Sequence, residues 1–107
     1  MRRSLFALLA LLAGTTGPLA ADVNLTIENA SSQSVISVAA YPVRADGSVI
    51  DDNVGGMIDE VPAGTTVALP LQLLQCASVF VRVGLADDSE LETTIDLCKQ
   101  PGLRVSD

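Results

Sequence analysis

The sequence predicts an all-β domain: a small immunoglobulin-like β-sandwich of about seven short antiparallel strands with one disulfide. Three observations predict it. Apolar and polar residues alternate over short runs, turn residues punctuate those runs at close intervals, and the chain's only two cysteines flank a hairpin pattern. Beyond residue 21 no segment carries a sustained 3.6-residue apolar period, although Leu71 to Gln75 could wind one helical turn.

The first element is a leader. Arg2 and Arg3 precede an apolar run from Leu5 to Ala13, and small residues follow, ending at Leu19-Ala20-Ala21. A membrane span needs about 20 apolar residues, and Gly14-Thr15-Thr16-Gly17-Pro18 interrupts this run well short of that. Residues 1–21 therefore read as a cleavable signal peptide cut after Ala21, with no membrane anchor left once it is removed, and residues 22–107 as one β-sandwich domain. The expected destination is the periplasm or the extracellular medium.

Val23, Leu25 and Ile27 alternate with Asn24, Thr26 and Glu28, the pattern of a first strand with one apolar face. Asn29-Ala30-Ser31-Ser32 turns the chain into a second strand, Val35 to Val43, which holds the only tyrosine, Tyr41. Ala45-Asp46-Gly47-Ser48 is a turn, Val49-Ile50 a short extension, and Asp51 to Gly56 a loop by composition. Met57 to Val61 reads as a brief strand, and Pro62-Ala63-Gly64-Thr65 as the next turn. Thr66 to Leu69 reads as strand until Pro70, whose missing N–H interrupts a ladder. Ala77 to Ala86 and Glu90 to Leu97 read as the two arms of a hairpin about the acidic turn Asp87-Asp88-Ser89, and Leu103 to Ser106 as a last strand.

Cys76 and Cys98 are expected to pair. An oxidising compartment favours it, and the midpoint of the two positions is residue 87, so the cysteines close the hairpin's open end opposite its turn. A redox-active pair would need close spacing at a helix start, whereas this spacing is long and its context is strands.

From Asn24 to Val105 the chain has an Asn/Thr-rich first strand, Pro62-Ala63-Gly64 leading an apolar strand, Cys76 ahead of Val81-Arg82-Val83, an acidic turn, and Asp96-Leu97-Cys98 before a short last strand. In these features it resembles a group of small exported bacterial proteins of unknown function. Asp87-Asp88 stands where that group has an Asp-Gly turn. The resemblance implies a secreted, disulfide-bonded single β-domain and carries no activity with it.

Composition narrows the functions. Without residues 1–21 the chain keeps Arg44, Arg82, Lys99 and Arg104 against all 13 acids, a net charge of −9. Such a surface repels phosphate backbones and anionic lipids, which excludes nucleic acid as a partner. Histidine is absent and no cysteine is left over, so the commonest general base, metal ligand and nucleophile are missing and no catalytic residue is assigned.

Two acidic clusters are candidate metal ligands, and calcium, which takes several loop oxygens, is the cofactor they would suit. One is Asp46, Asp51, Asp52 and Asn53, with Asp59 and Glu60 as further candidates to join it; the other is Asp87, Asp88 and Glu90. Neither fits the Asp-x-Asp-x-Asp-Gly loop with its distal glutamate, and carboxylates in turns also serve to start the turn and keep the domain soluble. A third candidate is a partner patch at Leu71, Leu73 and Leu74, beside Pro70: either it is exposed and docks a protein, or it plugs one end of the sandwich. The function expected on these grounds is non-catalytic binding of an unidentified protein partner, with calcium-dependent binding as the alternative. Asn24-Leu25-Thr26 and Asn29-Ala30-Ser31 match the glycosylation acceptor pattern, which is expected to be coincidence because the short leader and the resemblance point to bacteria.

Overall fold

Alternation sets the faces, and the faces set the sandwich. In the computed structural model, which describes residues 23–56 and 59–107, seven strands form: β1 (Val23–Asn29), β2 (Val35–Pro42), β3 (Gly55–Gly56), β4 (Thr66–Leu71), β5 (Ser78–Leu85), β6 (Glu90–Asp96) and β7 (Gly102–Val105). The leader, and Met57 and Ile58 of the brief strand expected over Met57 to Val61, lie outside the described residues. Val61 itself makes an isolated bridge to Val35.

The strands divide into a three-stranded sheet ordered β4-β1-β7 and a four-stranded sheet ordered β3-β2-β5-β6. Leu25 and Ile27 of β1, Val38 and Ala40 of β2, and Val79, Val81 and Val83 of β5 turn inward and are buried between the sheets. Among the described residues, valine supplies eight of the 13 buried apolar side chains, and none of them is aromatic. Each such burial contributes about 1.5–3 kcal/mol, so the stability of this core rests on many short β-branched contacts rather than a few large ones.

Most pairs are antiparallel as expected, with one exception. β7 runs parallel to β1, with Thr26 opposite Gly102 and Asn29 opposite Val105. The N–H of Thr26 donates to the Pro101 carbonyl (3.0 Å) and that of Ala30 to the Val105 carbonyl (2.7 Å). A methyl built on Gly102 would overlap the backbone of Thr26, so only glycine admits this approach.

Three further differences have local causes. Asp51 to Gly56 is not all loop: Gly55 and Gly56 pair with Ala40 and Ala39 as β3. β4 does not stop before Pro70 but continues through it to Leu71. Asn29 and Thr65 are hydrogen-bonded across the β1–β4 pair (2.9 Å), which makes Asn24–Pro70 a pair without ladder bonds and turns the nitrogen of Pro70 away from β1, toward the sheet edge. Residues 72–75 bend instead of winding a helical turn, and among the described residues there is no helix.

In β2, Val35 and Val38 are both buried although an uninterrupted strand would put them on opposite faces. A register shift between Val35 and Ser37 supplies the extra residue.

Among the described residues, Asn29 is the one large polar side chain sealed in the interior, 1% exposed. Its amide nitrogen donates to the carbonyls of Gln33 (2.8 Å) and Val61 (2.9 Å), and its oxygen accepts from the backbone N–H (3.0 Å) and hydroxyl (2.7 Å) of Ser31. Every hydrogen-bonding position is filled, and the β1–β2 turn is tied to the segment entering β4. So placed, the amide nitrogen is not available to a glycan in the folded domain. Asn29→Ala is expected to destabilise the domain by about 2 kcal/mol in urea melts, because buried groups lose partners that water cannot replace. A loss under about 0.5 kcal/mol would show that the network is dispensable.

Candidate functional site

The aromatic residues that the core lacks are on the outside. In β5 the valines at 79, 81 and 83 face inward, so Phe80 and Arg82 face outward. In β2, Tyr41 and Ala39 face outward beside them. The β2–β5 register sets Tyr41 opposite Phe80, with ring centroids 6.5 Å apart and planes inclined by 38°. Both rings are half-buried.

The 43–49 hairpin, closed by a Val43–Val49 bridge, brings exposed Val49 alongside. Together Tyr41, Val49, Asp51, Phe80 and Arg82 line a shallow depression of about 430 Å³ on the outer face of the four-stranded sheet. Arg82 is held in the plane of the sheet by Glu92, its cross-strand partner, with Nε 2.9 Å from the carboxylate. That hydrogen bond and the glutamate's charge raise the guanidinium pKa above its ordinary value. The depression therefore offers apolar ring faces, one cation and one carboxylate, a surface suited to recognition.

The expected disulfide is present. Cys76 and Cys98 are bonded, with Cα atoms 5.1 Å apart, and no free cysteine exists among the described residues. Ser78 pairs with Asp96 and Gly84 with Glu90, so the hairpin is centred on residue 87 and the cysteines lie in register just beyond the strand ends.

Two of the acidic candidates, Asp46 and Asp87, hold turns together. One Asp46 oxygen accepts the N–H (2.9 Å) and the hydroxyl (2.7 Å) of Ser48, and one Asp87 oxygen accepts the N–H (3.0 Å) and the hydroxyl of Ser89. The serine hydroxyl, then the serine N–H, lowers the pKa of each aspartate. Asp51, Asp52, Asp59, Glu60, Asp88 and Glu90 are exposed. Among the described residues no three acidic, cysteine or histidine side chains come together as a metal-holding group.

These two turns are copies of one design. Arg44 N–H donates to Ser48 O (2.8 Å) and Gly47 N–H to Arg44 O (2.9 Å); Leu85 N–H donates to Ser89 O (2.9 Å) and Asp88 N–H to Leu85 O (3.0 Å). The fourth residue of each has positive φ, 92° at Gly47 and 71° at Asp88. Glycine takes that conformation freely and aspartate does not. Asp88→Gly is expected to stabilise the domain by about 0.5–1 kcal/mol in thermal melts, and a destabilisation would refute the assignment.

The three leucines do not form one patch. Leu71 belongs to the core, Leu73 packs half-buried against it, and Leu74 alone stands in solvent at 90% exposure. The sequence reasoning missed the Tyr41–Phe80 pair, although the inward valines on either side of Phe80 already placed that ring on the opposite face. Among the described residues no helix is long and apolar enough to cross a membrane. Searches of the chain against protein-family models, characterised proteins and solved structures find no match.

Proposed function

We propose that residues 22–107 form a non-catalytic binding domain, exported to the periplasm or the extracellular medium, that engages a partner protein through the Tyr41–Phe80 face. The observation that carries this reading is the placement of the aromatic pair. A core built of valine, leucine and isoleucine leaves both rings on the solvent side of a sheet, where they add little to packing and much to a contact surface. Absence of histidine and of any spare cysteine supports a role without catalysis, and the disulfide supports an oxidising compartment.

The test is a double substitution, Tyr41→Ser with Phe80→Ser, expressed with the native leader. Exported wild-type protein should begin at Asp22, weigh two hydrogens less than the dithiol, and yield a crosslinked partner. The variant should melt within a few degrees of wild type and lose that partner. A collapse of the fold would make the rings structural, and retention of the partner would move the contact elsewhere.

A further inference from the structure

One side of the sandwich is bounded by two sheet edges. β6 ends the four-stranded sheet and β7 ends the three-stranded one. Between them runs a groove of about 550 Å³ whose walls include Leu91, Ile95, Gly102 and Leu103. β6 extends for seven residues without a bulge or a proline, and among the described residues β5 is its only strand neighbour.

The hairpin determines which backbone groups of β6 face the open side. Leu85 donates to Ser89 and Leu97 to Ala77, so the odd-numbered residues of β6 bond to β5. Glu90, Glu92, Thr94 and Asp96 then point their N–H and C=O groups outward. The Asp96 carbonyl already accepts from Lys99 and Gln100 (both 3.0 Å), which leaves Glu90, Glu92 and Thr94 presenting both groups, with Glu92 and Thr94 in the middle of the strand. The same even-numbered residues carry the side chains of the sheet's outer face, three of them acidic, while Leu91, Thr93 and Ile95 face the groove.

We propose that β6 accepts an added strand from a partner polypeptide in which basic and apolar residues alternate. The backbone edge selects an extended chain. Glu90, Glu92 and Asp96 select cations at the directly opposed positions, and Leu91, Ile95 and Leu103 select apolar side chains at the intervening ones. A second copy of this chain does not fit, because edge-to-edge pairing would set like-charged glutamates together on a domain of net charge −9. None of the edge residues lines the Tyr41–Phe80 depression, although Glu92 also holds Arg82 of that depression, and the backbone readout at Glu92 and Thr94 lets the inference stand or fall separately from that reading.

The probe is a capped synthetic heptapeptide with lysine at odd and valine or leucine at even positions, titrated into ¹⁵N-labelled residues 22–107. Amide hydrogen exchange at Glu92 and Thr94 should slow by at least about tenfold at saturation, and affinity should fall as salt rises. Thr94→Pro removes one outward N–H in the way that Pro70 does within β4, and should weaken binding at least about tenfold while the fold persists. A peptide N-methylated along one edge should lose binding to the same degree, which keeps the test decisive if Thr94→Pro does not fold. No slowing at Glu92 and Thr94, equal binding by a peptide with glutamate in place of lysine, or shifts confined to the Tyr41–Phe80 face would each overturn the proposal.

Discussion

Replacing both cysteines, Cys76→Ala with Cys98→Ala, is expected to lower the stability of residues 22–107 by about 3 kcal/mol and the melting temperature by roughly 12–24 °C. The bond spans a sequence separation of 22 and closes the open end of the β5–β6 hairpin, next to the Leu97-to-Ala77 backbone hydrogen bond (3.0 Å). Without it, that loop regains its freedom in the unfolded chain, while the native strands lose only a tether. A domain of this size has a total stability on the order of 4–13 kcal/mol, so the change is a large fraction of it. Urea melts of the oxidised protein and the double variant measure the difference. A loss under about 1 kcal/mol would mean that the β5–β6 ladder already holds both arms in register.

Gly102→Ala is expected to cost about 3 kcal/mol, as much as the disulfide, although it adds one methyl. That methyl would collide with the Thr26 backbone, and backbone cannot rotate aside as a side chain can. β7 must then withdraw, exposing Val105 and releasing the hydrogen bonds from Thr26 and Ala30. Gly47→Ala is the control: nothing lies within 4 Å of its added methyl, and only its positive φ is strained, so about 1 kcal/mol is expected. Equal effects from the two substitutions would refute the close packing of β7 on β1.

Why some elements were legible and others not follows from where their information lies. Leu25 and Ile27, and the valines at 79, 81 and 83, announce β1 and β5 through alternation, and the two cysteines give the hairpin register because their midpoint falls on its turn. β3 has no such signal: Gly55 and Gly56 carry no side chains, and pairing with Ala39 and Ala40 makes them strand. The passage of β4 through Pro70 depends on β4 lying at an edge, a property of the sheet and not of the segment. The parallel β1–β7 pair joins residues 76 positions apart, Thr26 and Gly102 among them, beyond any local pattern. The aromatic face needed both kinds of information. Phe80's direction was local, but its meeting with Tyr41 required the β2–β5 register, which the bulge after Val35 hides from a reading of parity.

The parallel pairing also governs when the domain can finish folding. β1 is made before all the other described strands and β7 after them, so the three-stranded sheet stays open until β7 has been synthesised. Contacts this distant along the chain form slowly. Closure of the sandwich is therefore the last step of its assembly, waiting on the arrival of β7 and not on the hairpins that form earlier.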